Sequence, residues 1–137
     1  MAIVNFPYRY TKYERMEHFI KWFQSKFQLR DWNIMFQYGS IIPKEFLELK
    51  NAQGACLPMI DLLVSKVWVN TEYCKRDNTN PLLVLCHEML HVLFSANLMD
   101  NDNKVEDSVV NRLQNIIFEN YLQEFGMGLT GIDEEWI

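Results

Sequence analysis

Apolar residues recur with a helical period near the start of the chain. In residues 11–29, TKYERMEHFIKWFQSKFQL, they follow the i, i+3, i+4, i+7 spacing that gathers side chains on one helix face. The residues on this face are Tyr13, Met16, Phe19, Ile20, Phe23 and Phe27. Thr11 and Glu14 also fit a capping box. The pattern predicts an amphipathic first helix.

The period changes from helical to alternating after residue 30. In DWNIMFQYG, residues 31–39, one face carries Trp32, Ile34, Phe36 and Tyr38, which predicts a strand with one buried face. GACLPMI (54–60) and LLVSKVWVN (62–70) predict two further strands. Pro58 cannot donate to a hydrogen-bond ladder, which favours a sheet edge for the first of them. KEFLELKNAQG (44–54) is compatible with a short helix or a loop.

Two helices are predicted in the second half of the chain. CKRDNTN (74–80) is typical of a polar loop, and Asn80 and Pro81 suit the start of an apolar helix over 81–94. SANLMDNDN (95–103) predicts another loop before a last helix over 104–125. The apolar face expected on this last helix comprises Val109, Val110, Leu113, Ile116, Ile117 and Tyr121.

The element order predicts an α+β fold with an N-terminal helix, a small, mostly antiparallel three-stranded sheet and two C-terminal helices. Because the chain has 137 residues, one domain over 1–137 is expected. The tail GMGLTGIDEEWI (126–137) is expected to be irregular.

Composition excludes some classes of protein. The net charge of -5 argues against nonspecific nucleic-acid binding, which requires a basic surface. The 3 cysteines match no disulfide scaffold, which favours a reducing compartment. No apolar run reaches about 18 residues and no signal-peptide pattern is present, so we expect a soluble cytoplasmic protein without a membrane partner. The oligomeric state is left open.

Polar residues in the apolar helix over 81–94 carry the chemistry. His87, Glu88 and His91 form the motif HExxH, and residues i and i+4 lie one turn apart on one helix face. Two imidazoles so placed can bind one Zn²⁺ ion, with Glu88 as general base toward its water. The alternative is that both histidines are ordinary interior residues and Glu88 lies on a solvated stripe. An HExxH triplet in so apolar a helix favours the metal site, because unpaired buried polar groups destabilise a fold.

A catalytic zinc ion takes a third protein ligand. The one remaining histidine, His18, lies far away on the first helix, and no histidine follows His91 closely. Glu106 shares a helix face with Val110, Leu113 and Ile117, whereas Asp107 shares a polar face with Asn111 and Gln114. We therefore predict Glu106 as the third ligand, with Asp107 as the alternative. Glu106 also fits a capping role with Asn103.

These residues resemble a known group of proteins. HExxH on one helix, followed by a loop and a second helix bearing an acid, resembles the gluzincin branch of the zincin metallopeptidases. The small size is similar to that of ImmA/IrrE-like and SprT-like domains and of short metallopeptidases encoded by phages. The resemblance spans about residues 11–125 but is specific at the HExxH triplet alone. It departs from SprT-like domains in lacking a third histidine, and it lacks the NExxxD pattern of some gluzincins.

The resemblance implies a zincin-like fold and a zinc-dependent peptidase acting on a peptide or protein, in the host cytoplasm if a phage encodes it. It implies His87, His91 and Glu106 as zinc ligands, Glu88 as general base, and an edge strand that holds an extended substrate. One alternative is a catalytically silent zincin-fold protein with a regulatory or interaction role. Another is an iron enzyme, because two histidines and one carboxylate also form iron sites.

Overall fold

Four α-helices and a three-stranded sheet make up the described part of the chain, which in this computed structural model comprises residues 12–49, 52–97 and 103–125. The helices and strands, in chain order, are α1 (Lys12–Lys26), β1 (Asn33–Tyr38), β2 (Gly54–Met59), β3 (Val64–Val69), α2 (Thr71–Arg76), α3 (Pro81–Ala96) and α4 (Asn103–Phe125). Short 3-10 turns lie at Lys44–Phe46 and Ile60–Leu62. The predicted α+β class is confirmed.

The sheet has the order β1-β3-β2 and is mixed. β2 and β3 pair antiparallel because only the Ile60–Leu62 turn and Leu63 join them, and Leu63 closes this connection at φ 51°. β1 and β3 pair in parallel, since the long segment between β1 and β2 lets the chain cross the sheet before β3 begins. The expectation of a mostly antiparallel sheet is thus wrong for one of its two pairs. Pro58 lies on the edge strand β2, as predicted.

Helix α3 lies at the centre of the molecule. It packs against β2, β3, α1 and α4, which explains why it is apolar on every side. Its fully buried residues are Leu82, Leu85, Cys86, Met89, Leu90 and Val92. The sheet contributes Phe36, Val67 and Val69 to the same buried core, and Cys56 packs against this core. A helix enclosed in this way holds its polar side chains in a fixed environment.

Helix α1 covers this core with the face that its sequence predicts. Met16, Phe19 and Phe23 are fully buried, whereas Tyr13 at the helix start is 37% exposed. The expected cap at Thr11 lies outside the described residues, as does the tail over 126–137.

Two expectations about helices need correction. The segment 74–80 was expected to be a loop, but Thr71–Arg76 forms α2, because the Asn70 side chain caps it by accepting a hydrogen bond from Tyr73 N at 3.1 Å. The apolar face of α4 is narrower than expected. Val109 is 36% exposed and Ile116 is 65% exposed, since α4 packs through Val110, Leu113, Ile117 and Tyr121.

Candidate metal centre

The start of α3 sets the positions of both motif histidines. Asn80 Oδ1 accepts a hydrogen bond from Leu82 N at 2.9 Å, and Pro81 occupies the first turn, as predicted. From this start the helix continues unbroken through His87 and His91, whose ring centroids are 4.9 Å apart. The two imidazoles therefore lie one turn apart on one face.

The two rings present the same nitrogen to each other. His87 Nε2 and His91 Nε2 are 3.2 Å apart. The opposite nitrogens are each held by an oxygen from α4: His87 Nδ1 lies 2.6 Å from Gln114 Oε1, and His91 Nδ1 lies 2.5 Å from Glu106 Oε2. Amide and carboxylate oxygens accept hydrogen bonds, so both Nδ1 atoms donate.

This arrangement determines the tautomers. A neutral imidazole with its proton on Nδ1 has a lone pair on Nε2, and here two such lone pairs converge. They repel unless a cation lies between them. Two nitrogens bound to one tetrahedral zinc ion at about 2.0–2.1 Å would be about 3.3–3.4 Å apart, close to the spacing seen. Burial lowers the pKa of His87, whereas its hydrogen bond with Gln114 acts in the opposite direction.

The two acids at the start of α4 have different positions. Glu106 binds the outer nitrogen of His91, and its side chain is 14% exposed. Asp107 is 61% exposed, and its Oδ1 lies 3.4 Å from His91 Nε2, on the side where the two rings meet. Sequence reasoning placed Asp107 on a solvated face with Asn111 and Gln114. That face borders a cleft beside the histidines, so a residue on this polar face can still belong to the site.

Glu106 Oε1 is buried and has no hydrogen-bond partner within the described ranges, so this carboxylate has an oxygen available to a cation or a donor. Two imidazoles with adjacent carboxylates suit Zn²⁺. In the described part of the chain, no three His, Cys, Asp or Glu side chains already surround one metal position. The residues fit a metal ion if the Asp107 side chain moves closer to the two rings.

Glu88 lies in an enclosed environment and not on a solvated stripe, the alternative that the sequence left open. It is 8% exposed, and burial raises its pKa to about 7. The Cys56 thiol of β2 lies close enough to interact with this carboxylate, and burial together with the Glu88 charge raises the pKa of Cys56. Sequence reasoning missed this contact, because the pairing of β2 with β3 and its packing on α3 bring the two residues together.

Gly54 permits this close approach of β2 to α3. A Cβ atom at this position would lie 2.7 Å from Val84 Cγ1, 3.0 Å from the Trp68 carbonyl oxygen and 3.3 Å from Glu88 Cγ. Such contacts are too short for an ordinary Cβ, so glycine lets the first residue of β2 lie directly against the motif helix.

A cleft of about 330 Å³ opens beside the motif. It is lined by Gln53, Gly54, Thr79, Leu83, Val84, His87, Glu88, Asn111 and Gln114. The rim is partly ordered by Gln53, whose Nε2 donates to Thr79 Oγ1 and Asp77 Oδ2, both at 3.0 Å. The cleft therefore has an apolar floor, an amide-rich rim and a motif histidine and carboxylate at one end.

Two residues considered from the sequence lie outside this centre. His18 Nδ1 is 2.9 Å from the Tyr121 hydroxyl, between α1 and α4. Cys86 is fully buried, its pKa is raised to about 12 by burial, and its Sγ lies 3.6 Å from the Gln114 carbonyl oxygen. Cys86 thus acts as a small core residue.

No family model, curated protein or solved structure matches the chain. Within the described residues, no helix combines the length and the apolar character that a bilayer span requires.

Proposed function

We propose that this protein is a zinc-dependent peptidase. The observation that carries the proposal is the pair of Nε2 atoms 3.2 Å apart, with both Nδ1 atoms occupied by oxygens. When bound, a zinc ion lowers the pKa of a coordinated water to about 7 and polarises a carbonyl group. His87 and His91 would hold the ion through the two lone pairs that face each other.

Asp107 is the third ligand that we propose, in place of Glu106. Asp107 lies on the side of His91 where the lone pairs converge, whereas Glu106 engages the outer nitrogen. Glu106 then acts as an orienting group that keeps the His91 ring and its proton in place, a role that carboxylates commonly have beside metal-bound histidines.

Glu88 is the proposed general base. Its carboxylate follows His87 directly on α3 and lies at the end of the cleft. A carboxylate with a pKa of about 7 can accept a proton near neutral pH and donate it again to a leaving amine. The Cys56 thiol lies beside this side chain on the β2 side.

The edge strand supports a peptide as the substrate class. β2 pairs with β3 on one side, and its other edge has no partner among the described strands. Its first residue, Gly54, lies at the cleft beside Glu88. An extended peptide that hydrogen-bonds to this edge would pass the motif, a common form of peptide recognition.

The test compares the wild type with Glu88→Gln, with Glu72→Gln on the exposed surface as the matched control. We expect about one zinc ion per chain in all three by elemental analysis. Hydrolysis of a mixed peptide substrate should be lost in Glu88→Gln alone, because an amide cannot act as the base. Equal hydrolysis by Glu88→Gln would contradict the proposal, and iron in place of zinc would favour an iron enzyme.

One observation favours a second candidate function. Glu88 is 8% exposed and lies beside Cys56, and such enclosure is also expected of a structural carboxylate. A catalytically silent metal-binding protein with a regulatory role would hold zinc in the wild type and in Glu88→Gln and would hydrolyse peptides in neither form.

A further inference from the structure

The side chain of Gln114 joins the cleft to the metal-binding pair. Its Oε1 accepts a hydrogen bond from His87 Nδ1 at 2.6 Å, and the same residue lines the cleft. This contact is independent of the HExxH motif, since Gln114 belongs to α4 and the histidine to α3.

The hydrogen bond with His87 also fixes the orientation of the Gln114 side-chain amide nitrogen. The side-chain amide is planar, so holding Oε1 on His87 sets the direction of the two N–H bonds on Nε2. No described residue accepts a hydrogen bond from this nitrogen. The described residues also leave the nitrogen partly open, because it does not belong to their fully enclosed unpartnered atoms. Gln114 is half-buried at the cleft wall, so Nε2 is a donor with a set direction that remains accessible.

Another amide on the cleft wall is already engaged. The Gln53 amide nitrogen donates to Thr79 and Asp77 on the rim. An acceptor that enters the cleft therefore meets the oriented Gln114 amide next to His87. A peptide carbonyl oxygen is an acceptor of this kind, neutral and strongly hydrogen-bonding.

We propose that Gln114 has two roles that rest on the proposed function: its Oε1 positions His87 for the metal ion, and its Nε2 donates to a carbonyl oxygen of a peptide in the cleft. The Gln114 side chain then links peptide binding in the cleft to the position of His87 as a zinc ligand. The first role predicts an effect on zinc affinity, and the second an effect on peptide affinity.

Two substitutions separate these roles. Gln114→Glu keeps an oxygen for His87 Nδ1 but removes the donor, whereas Gln114→Met has similar length and removes both groups. Gln123→Glu makes the same chemical change on an exposed position of α4 and is the matched control. Zinc affinity is measured by competition with a chelator. Ligand affinity is measured on the zinc-loaded protein with a peptidyl hydroxamate and with acetohydroxamate, which binds metal but has no peptide part.

We expect Gln114→Glu to keep zinc affinity within about threefold and to lower the advantage of the peptidyl hydroxamate over acetohydroxamate about tenfold. Gln114→Met should show the same loss of the peptidyl hydroxamate's advantage. It should in addition bind zinc about tenfold or more weakly, because the partner that orients His87 is removed. Gln123→Glu should change neither quantity. Because acetohydroxamate meets the same added charge, the ratio isolates the lost donor.

Two results would overturn the inference. An unchanged hydroxamate ratio in Gln114→Glu would remove the peptide contact, and unchanged zinc affinity in Gln114→Met would remove the positioning role. Failure of the proposed peptidase function is distinguishable from both, because the wild type would then cleave no peptide while Gln114→Met still lowered zinc affinity. A wild type that binds no zinc would overturn the positioning role as well.

Discussion

At the scale of single residues, the adjacent acids Glu106 and Asp107 lie on different sides of the His91 ring. One carboxylate lies on the outer nitrogen of His91 and the other near its inner nitrogen. A helix turns by about 100° per residue, so neighbouring side chains reach different sides of one ring.

This difference is testable with two substitutions that each remove one negative charge. Asp107→Asn should weaken zinc binding by about 100-fold or more, because a ligand is lost. Glu106→Gln should weaken it by about tenfold or less, since an amide oxygen can still accept from His91 Nδ1. The measurement is zinc affinity by chelator competition. A larger loss in Glu106→Gln would restore Glu106 as the third ligand that the sequence predicts.

His18 carries a pH effect that is separate from the metal centre. Burial lowers its pKa below the usual 6.5, so the folded protein binds this proton less readily than the unfolded chain. The contribution of neutral His18 to the free energy of unfolding is therefore fully present above about pH 6.5. It is lost as the pH falls toward the pKa of His18 in the folded protein. We expect His18→Gln to reduce the fall in unfolding free energy between about pH 7 and pH 5, measured by urea denaturation. An identical pH dependence in both proteins would exclude His18 as the source.

The HExxH triplet could be recognised in the sequence, but the positions of the two acids relative to His91 could not be predicted. His87, Glu88 and His91 lie within five consecutive positions of one helix, so local geometry alone brings them together. The third ligand depends on the rotation of α4 about its axis. In the rotation observed, Val110 is buried and Val109 is partly exposed. Because both residues are valines, the sequence does not show which of them faces the core.

At the scale of elements, the approach of β2 to α3 positions the base. The strand and the helix meet where Gly54 has no side chain, and Cys56 two residues later reaches the Glu88 carboxylate. Neither element has this geometry alone, because the contact arises from packing of the sheet on α3.

Gly54→Ala should therefore lower the free energy of unfolding by about 1–3 kcal/mol, as overpacking of a close contact does. Its nearest neighbour would be Val84 Cγ1 at 2.7 Å, so the same substitution in a Val84→Ala background should cost less. Some cost should remain, because the Trp68 carbonyl oxygen at 3.0 Å cannot move easily. Urea denaturation of the four proteins measures this coupling. An equal cost in both backgrounds would show that Val84 is not the obstacle.

Prediction of the elements was accurate where periodicity is long. The bounds of α1, α3 and α4 follow from apolar patterns of several turns. The short helix α2 was missed, since six residues are too few for a clear period and its start depends on the Asn70 cap. The parallel pairing of β1 with β3 was also missed, because strand direction depends on the path of the connecting segment.

At the scale of the whole molecule, the candidate metal centre contains residues of both α3 and α4. The histidines come from α3, while Glu106, Asp107 and Gln114 come from α4. A cation held by residues of both helices would stabilise their packing as well as the site.

We expect zinc at about 100 times its dissociation constant to stabilise the protein by about 2.7 kcal/mol, because it binds the folded state preferentially. The melting temperature should rise with zinc and fall after chelation in the wild type and in His18→Gln. His91→Ala should show no response to zinc. A response that persists in His91→Ala would mean that the ion binds elsewhere.

The sequence by itself determined the α+β class, the main helices and the presence of two histidines and a carboxylate on one face of a buried helix. These features follow from periodicity and local helix geometry. Only the tertiary structure decided which carboxylate faces the histidine pair, that Gln114 and Glu106 set both tautomers, and that Cys56 reaches Glu88. Each of these contacts joins residues far apart in the chain, so it depends on how helices and sheet pack together, which local pattern does not encode.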